Sequence, residues 1–369
     1  MNTSKILLSI ATIAALTLTG CGSGGGSDTP TETDTPIDTT TPTPVVQTPT
    51  DTTLSGDITS NMTLTADKVW IIDGLVAVKN GATLTIEAGT TIAGLDGTGA
   101  TTSYMIIDKG AKIMAEGTAT NPIIFTSKKA VDGGTPAVGQ WGGLTIIGKA
   151  GNDQVKPYEV NSEFVADSSD LADSSGVLKH VKILNSGITM EQDKEINGLS
   201  FVGVGSGTIV EDITVDLSDD DGIEIWGGTV NLTNVTITNC TDDYFDIDDG
   251  YTGTVRNLNI TVTGGNAGIE MSGTTSATFD GFNITITQSD KEGGIYFKKD
   301  GIGGHFKNGT ITDNSDDGAG AINSKGVADV ANISFENVTL VGTSADDKIT
   351  GDSASEIEAK FTAGSGNTK

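Results

Sequence analysis

The sequence has few basic residues, and this scarcity excludes some classes of partner. There are 21 Lys and Arg against 49 Asp and Glu, which gives a formal net charge of −28. A chain without a basic patch cannot release counterions from a phosphate backbone, so nucleic acid is not a predicted partner. The same charge disfavours adhesion to anionic lipid through side chains and leaves cations and neutral or cationic surfaces as partners.

Aromatic residues are also scarce, and glycine is abundant. Phe, Trp and Tyr make up 5% of the chain, while Gly occurs 50 times. A large globular core normally draws on many aromatic side chains. A solenoid does not need one, because each of its repeats packs only on its neighbours. The composition therefore favours a glycine-turned β-solenoid.

Apolar runs long enough for a membrane are absent except near the start of the chain. Lys5 precedes an apolar stretch over residues 6–18, which is short for a transmembrane helix and suits a signal peptide. The stretch ends in Leu18-Thr19-Gly20-Cys21, which resembles the lipobox of bacterial lipoproteins. The resemblance implies that residues 1–21 are a processed signal and that Cys21 carries the lipid anchor, with no transmembrane span in the mature chain. The alternative is an ordinary secretory signal with a chance cysteine.

Gly22 follows this cysteine, where Asp commonly retains lipoproteins in the inner membrane. We therefore expect a cell-envelope location in the outer membrane, facing the periplasm or the cell surface. Residues 22–55 are rich in Thr, Pro, Asp and Gly and lack Lys and Arg. Such a composition cannot bury enough apolar surface to fold, so the segment is predicted to be a disordered tether that holds a domain away from the membrane.

The sequence predicts no catalytic or metal-binding role for the remaining cysteine or for the two histidines. With Cys21 acylated, Cys240 has no partner for an internal disulfide, and its place at the end of an apolar strand predicts burial. His180 and His305 lie in separate repeats, and we expect both to be surface or packing residues.

Residues 56–369 are predicted to form one domain of stacked coils. Short strands with alternating apolar and polar residues recur about every 22 to 26 residues between acidic or glycine turns. Asn recurs at other turns, where left-handed backbone geometry and stacked amides are tolerated. Residues 151–175 interrupt the pattern and are predicted to be an inserted loop. The residues predicted to face inward in four successive coils are Ile223 and Ile225, Phe245 and Ile247, Ile269 and Met271, and Ile295 and Phe297.

A short helix is predicted near the C-terminus. Ser353 precedes Glu356 by three residues in a capping-box pattern, and Ile357 and Phe361 fall on one helical face. Such a helix would cover the last coil and block edge-to-edge stacking.

This pattern looks like the right-handed parallel β-helix of the pectin-lyase-like superfamily. More narrowly, DDDGIEIWGGTVN and DDYFDIDDGYTGTV resemble a family of uncharacterised bacterial lipoproteins, some of which carry an automatic "multidrug transporter" label. The resemblance implies an all-β fold and a cell-envelope address. It implies no activity, and the lack of predicted membrane spans beyond the signal argues against transport.

Acidic residues are concentrated in the coils between residues 218 and 299. Glu224, Asp246 and Glu270 alternate with the inward residues and are predicted to form an outward carboxylate ladder, with about 4.8 Å between coils. Ca²⁺ takes six to eight oxygen ligands, often carboxylates, and is the predicted cofactor. The alternative is that these are solvated turn residues of an acidic exported protein. The predicted ligands are Asp219, Asp220, Asp221, Glu224, Asp242, Asp243, Asp246, Asp248, Asp249 and Glu270.

A catalytic assignment is incomplete. Polygalacturonase-type hydrolases share the superfold, and the resemblance would place catalytic groups at Asp221, Asp242, Asp243 and Lys298. The substrate-orienting His and Arg of that pattern are Ala267 and Tyr296 here. A lyase would need Ca²⁺ and a basic residue, and Arg256 lies in a strand away from the ladder. We therefore predict a non-catalytic binding or structural module, with Ca²⁺ or carbohydrate as candidate ligands and a polysaccharide or another envelope protein as candidate partners. A polysaccharide-acting hydrolase or lyase is the alternative.

Overall fold

The computed structural model describes residues 52–369, apart from 152–156, 193, 290–291, 316–317, 328 and 343–347. The predicted signal peptide, the lipidation site Cys21 and most of the predicted tether lie outside these residues. The first strand begins at Thr52, four residues before the predicted start of the domain. Within the described residues, no helix is long and apolar enough to cross a membrane.

The regular secondary structure of the described residues is almost entirely β-strand. In chain order they are β1 (Thr52–Ile58), β2 (Met62–Leu64), β3 (Val69–Val78), β4 (Thr83–Ile86), β5 (Thr91–Gly94), β6 (Tyr104–Ile107), β7 (Lys112–Glu116), β8 (Ile123–Ser127), β9 (Leu144–Ile147), β10 (Gly176–Ser186), β11 (Ile188–Glu191), β12 (Lys194–Ile196), β13 (Leu199–Val202), β14 (Ile209–Ser218), β15 (Ile223–Trp226), β16 (Asn231–Cys240), β17 (Phe245–Asp248), β18 (Thr254–Thr263), β19 (Ala267–Met271), β20 (Ser276–Gln288), β21 (Gly293–Phe297), β22 (Gly303–Asp313), β23 (Ile322–Ser324), β24 (Asn332–Gly342) and β25 (Ile349–Gly351).

The helices are few and short. A single 3₁₀ turn covers Gly99–Thr101, α1 covers Lys128–Val131 and α2 covers Ala354–Ala363. All strands but β11 and β12 join one parallel sheet, whereas β11 and β12 pair antiparallel in a small hairpin that the repeat pattern did not predict. The fold is the predicted right-handed parallel β-helix with a C-terminal helix.

Each coil contributes strands to different faces of the solenoid. One face, called here the first face, is built by β6, β9, β13, β15, β17, β19, β21, β23 and β25, each paired with the next. The other strands of a coil are separate in the early coils and fuse into single long strands from β10 onward. Each long strand bends near its middle at a residue with positive φ, and these residues stack from coil to coil. Strands β10, β14 and β16 have a second such residue near their ends.

The stacked bends explain why asparagine recurs. Asn234, Asn257, Asn308 and Asn337 all have φ between 53° and 58°. The side-chain amide of Asn257 donates to Oδ1 of Asn234 at 2.9 Å, and that of Asn337 donates to Oδ1 of Asn308 at 3.1 Å. The left-handed geometry and the stacked amides predicted from the sequence are therefore confirmed.

The interior is the apolar column predicted from the alternation. All eight predicted inward residues of β15, β17, β19 and β21 have no exposed surface. Cys240 is buried as expected, and it is the free cysteine of the described residues. The aromatic rings of Phe279, Phe306 and Phe335 stack along the axis, with centroids 5.2 and 5.4 Å apart. Close stacking of in-register strands therefore buries a continuous core without a large globular interior.

Helix α2 covers the end of this column, as predicted. Ile357 and Phe361 are buried, and the ring of Phe361 lies 5.5 Å from that of Phe335. The predicted capping box is wrong, because the hydroxyl of Ser353 donates to the carbonyl of Val327 instead of accepting from the first turn of the helix. Packing on the last coil, rather than side-chain capping, positions the helix.

The predicted inserted loop lies against the early part of the first face. Tyr158 and Phe164 are buried in an apolar cluster on the outside of the solenoid, together with Ile106, Ile147 and Val202. The segment therefore covers outward apolar residues that would otherwise face water.

Candidate acidic site

The outward side chains of the first face form one continuous column. The strand registers align Ile106, Thr145, Ser200, Glu224, Asp246, Glu270, Tyr296 and Asn323 in that order along the solenoid axis. The column changes from apolar to hydroxyl, then to carboxylate, and then to phenol and amide side chains. The predicted stacking of three carboxylates on successive coils is therefore confirmed.

The ladder is buried rather than solvated, which corrects the view of it as an open acidic face. Glu224 and Asp246 are each 8% exposed and Glu270 is 2% exposed. The side-chain amide of Asn197 donates to Glu224 Oε2. Tyr158 of the inserted loop hydrogen-bonds with Thr145, two positions before Glu224 in the column. Packing in the assembled coils therefore removes these carboxylates from water.

A second ladder runs through the turn that precedes each strand of the first face. Oδ1 of Asn197 accepts from the backbone N–H of Asp221 at 3.2 Å, and Oδ1 of Asp221 accepts from that of Asp243 at 2.8 Å. Oδ1 of Asp243 accepts from the backbone N–H of Ala267 at 2.5 Å. Asp221 and Asp243, proposed from the sequence as catalytic or metal-binding groups, thus also tie one coil to the next.

The carboxylates converge in three groups whose oxygens lie within 4.8 Å of one another. These groups are Asp220, Asp221 and Asp242, then Asp221, Glu224 and Asp246, and then Asp243, Glu270 and Glu292. We refer to these eight residues as the acidic strip. Glu292 was not among the ligands predicted from the sequence, although this residue begins one of the repeats and occupies the acidic-turn position.

Three of the predicted metal ligands do not join any of these groups. Asp219 lies at the edge of the strip, with Thr241 Oγ1 at 3.4 Å from its Oδ1. Asp248 and Asp249 follow the ladder at the far end of β17 and line a separate cavity with Tyr158 and Trp226. Their nearness in sequence to the ladder did not bring their oxygens to the same point.

Several oxygens of the strip have no hydrogen-bond partner within the described residues. They are Asp246 Oδ1, Glu270 Oε2 and Glu292 Oε2, each with almost no exposed surface. A buried polar atom without a partner costs about 1–3 kcal/mol. Such atoms are unusual in folded proteins and require an explanation.

Burial governs the ionisation of the strip. It raises the pKa of Asp221, Glu224, Asp243 and Asp246 well above the ordinary value, and neighbouring carboxylates raise these pKa values further. Burial and the charge of Asp242 raise the pKa of Asp220 to about 8. Burial and the charge of Glu270 raise the pKa of the half-buried Glu292 to about 7.

Lys298 supplies a positive charge at one end of the strip. Its Nζ lies 2.6 Å from Glu270 Oε1. Burial alone would lower the pKa of Lys298, but the hydrogen bond and charge of Glu270 outweigh burial and raise it. The ammonium is therefore held in its charged form, which is the form of a counter-ion and not of a base.

No His or Arg of the described residues lies where the hydrolase pattern would have its substrate-orienting His and Arg. Tyr296 stacks directly after Glu270 in the column, and Ala267 is fully buried. Arg256 lies on β18, in register with Asp280 of the neighbouring long strand and away from the first face. His305 lies on β22, where its Nδ1 is 2.8 Å from Ser334 Oγ. His180 Nδ1 lies 3.4 Å from Asp212 Oδ2.

Comparison with known proteins agrees with the architecture. A family model described as a pectate-lyase-like β-helix domain matches residues 56–369. Searches of curated proteins and of solved structures gave no match.

Proposed function

We propose that this chain, which belongs to the pectate-lyase-like β-helix family, is a non-catalytic cell-envelope binding module. In this proposal its acidic strip holds a divalent cation, Ca²⁺ in particular. The match supports the fold, and the chemistry of the strip supports the ligand. Carboxylate oxygens are hard donors, which Ca²⁺ and Mg²⁺ prefer, and Ca²⁺ is the more tolerant of irregular geometry.

The observation that carries this proposal is the set of buried carboxylate oxygens that have no hydrogen-bond partner among the described residues. Glu270 and Glu292 each carry one of these oxygens, Oε2 in both cases. Both residues belong to the same group as Asp243, in which one carboxylate oxygen of each residue lies within 4.8 Å of the others. Half-buried Glu292 opens this group to solvent, so we assign Asp243, Glu270 and Glu292 as the cation ligands. A cation there would satisfy both oxygens and would favour the ionised carboxylates. Lys298 already compensates Glu270, so it competes with the cation.

The test is binding of Ca²⁺ and Mg²⁺ by calorimetry, together with thermal unfolding in each ion and in chelator at fixed ionic strength. We expect a saturable Ca²⁺ signal and a higher Tm, since a ligand at a hundredfold excess over Kd stabilises the native state by about 2.7 kcal/mol. Glu292→Gln should weaken Ca²⁺ binding about tenfold or more, whereas Glu336→Gln, an exposed acid on another face, should not. Equal, unsaturable effects of both ions would show that the strip is only a screened acidic surface.

The arrangement of the strip disfavours catalysis. A glycosidase needs an acid and a base or nucleophile at a set separation on either side of the substrate bond. Asp221 and Asp243 already accept backbone N–H groups, and Lys298 is held charged by Glu270. These contacts give Asp221, Asp243 and Lys298 structural roles. Ala267 and Tyr296 stand where the hydrolase pattern has its substrate-orienting His and Arg.

A polysaccharide-acting hydrolase or lyase is the second candidate, and the titration of Glu292 favours it. A half-buried carboxyl with a pKa of about 7, near two other carboxylates, has the properties of a general acid. A screen of acidic and neutral polysaccharides separates the two functions. Turnover that Asp243→Asn abolishes would establish the enzyme, and binding without turnover would support the module.

The cellular location rests on the sequence. We infer that Cys21 anchors the protein in the outer membrane and that residues 22–55 hold the β-helix away from it, towards a polysaccharide or another envelope protein. Cys21→Ser should release the protein from the membrane fraction or leave its signal uncleaved. Membrane partitioning equal to that of the unaltered protein would contradict the anchor.

A further inference from the structure

A partly open cavity lies between the inserted loop and the first face, at the C-terminal ends of β15 and β17. Its volume is about 120 Å³, and it is lined by Tyr158 and Glu159 of the loop and by Trp226, Asp248 and Asp249 of the coils. This is far more space than a single water needs. The cavity is therefore large enough for a small molecule or for the head group of a larger one.

The walls of this cavity are aromatic. The rings of Tyr158 and Trp226 lie 5.8 Å apart in an edge-to-face arrangement, and the hydroxyl of Tyr158 is held by Thr145 at 3.1 Å. Trp226 is half-buried, whereas Trp70 and Trp141 are buried in the core. A rigid indole beside an open space presents a π surface, which attracts a cation more strongly than Tyr or Phe does.

The rim of the cavity is acidic. Glu159, Asp248 and Asp249 line it, and no Lys, Arg or His is among the lining residues that the structure describes. The charges of Glu159 and Asp248 also raise the pKa of the adjacent Glu224, after the larger effect of burial, so their fields act on the same region. The potential in the cavity therefore favours a positive ligand.

The geometry distinguishes this cavity from a metal site. Asp248 and Asp249 take part in no group of three convergent carboxylate oxygens within the described residues, and the remaining walls are aromatic and aliphatic. A hard cation requires converging oxygens, whereas an organic cation gains from aromatic faces and nearby carboxylates. We propose that the cavity binds a small organic cation through an alkylammonium or quaternary ammonium group.

In this arrangement each part of the ligand has a counterpart in the cavity. The ammonium lies against Trp226, its methyl or methylene groups contact Val202 and Tyr158, and its charge is balanced by Asp248. No bond is made or broken. The site shares no residue with the divalent-cation ligands Asp243, Glu270 and Glu292. The test of organic-cation binding is therefore independent of the proposed function.

The experiment is a calorimetric titration of the full chain with choline, tetramethylammonium and lysine methyl ester at fixed ionic strength. The uncharged isostere of choline, dimethylbutanol, is the matched ligand control because it has the same shape without the charge. Titrations with and without saturating Ca²⁺ separate this site from the acidic strip. We expect saturable choline binding, about tenfold or more stronger than that of dimethylbutanol, in both conditions.

The variants test the two parts of the cavity separately. Trp226→Leu and Asp248→Asn should each lower choline affinity about tenfold, whereas Asp96→Asn, an exposed acid outside the cavity, should leave it unchanged. Asp248→Asn preserves side-chain shape, so it keeps the test valid if Trp226→Leu perturbs the fold. Equal affinity for choline and dimethylbutanol, or no saturable binding of any of the three cations, would overturn the proposal.

Discussion

Individual residues of the acidic strip have two roles that oppose each other. Asp221 supplies an acceptor that the next coil needs, but it also brings a charge into a buried region that already contains Asp220, Asp243 and Glu224. Asn197 occupies the corresponding position one coil earlier and makes the same kind of hydrogen bond without a charge. The backbone hydrogen bond at this position therefore requires only a side-chain oxygen, which Asn also provides.

This division of roles predicts opposite effects of two substitutions at one position. Asp221→Asn keeps Oδ1 and removes a repelled charge, so the free energy of unfolding at pH 7 without divalent cations should rise. Asp221→Ala leaves the N–H of Asp243 without its acceptor and should cost about 1–3 kcal/mol. Chemical denaturation of both variants in chelator checks this. If Asn destabilises as much as Ala, the charge itself supports the fold.

At the scale of the elements, in-register stacking turns single residues into continuous ladders. On the long strands, Lys179, Glu211, Thr233, Arg256, Asp280, Lys307 and Glu336 align on successive coils. Opposite charges alternate along most of this column, and Lys179 Nζ lies 2.8 Å from Glu211 Oε2. Each exposed pair contributes at most about 1 kcal/mol, and a one-residue register slip would separate these charges and turn every side chain to the other face.

Helix α2 covers the last coil and stabilises the end of the solenoid. Phe361→Ala removes the ring that α2 packs on Phe335 and should lower the free energy of unfolding by about 3–5 kcal/mol. Loosening α2 also uncovers the last coil, which favours association through strand edges. Unfolding curves and sedimentation at increasing concentration measure the two effects. Ser355→Ala, at an exposed position of the same helix, is the control, and a similar loss in both variants would contradict this role.

At the scale of the whole molecule, the buried acids set the pH dependence of stability. Burial raises the pKa of Glu292 from 4.5 to about 7 and that of Asp220 from 3.8 to about 8 in the folded protein. Raised carboxyl pKa values mean that the folded state binds more protons than the unfolded state. The stability they give is complete below the unfolded pKa and is lost as the pH rises through the folded pKa.

We therefore expect the cation-free protein to lose stability steadily between pH 5 and pH 8. Ca²⁺ should reduce this loss, because it favours the ionised carboxylates. The measurement is the unfolding midpoint against pH, with chelator and with Ca²⁺, and Glu292→Gln should flatten the chelator curve. A midpoint that rises with pH in chelator would show that the strip is ionised and compensated without a cation.

The coil architecture follows from local sequence. Alternation at Ile223, Glu224 and Ile225, repeated every coil, fixes which side chains point inward, and asparagine marks the bends because few other residues accept positive φ. These are short-range properties, so the β-helix, its inward column and its terminal helix could be predicted. Gly309 departs from this pattern, because it occupies the position held by Phe282 one coil earlier. A Cβ there would lie 2.2 Å from the Phe282 ring, and only packing between coils shows this.

The sequence by itself determined that acidic side chains would stack on successive coils, since that requires only period and alternation. The tertiary structure decided how they ionise and what they can bind. Whether a carboxylate is solvated depends on residues distant in sequence, such as Asn197, which hydrogen-bonds with the buried Glu224. The same packing brought Glu292 to Glu270 and Asp243 and placed Asp248 beside Trp226 and Tyr158. Burial and convergence are properties of the assembled coils, because dielectric environment and ligand geometry are set by neighbours in space and not by neighbours in sequence.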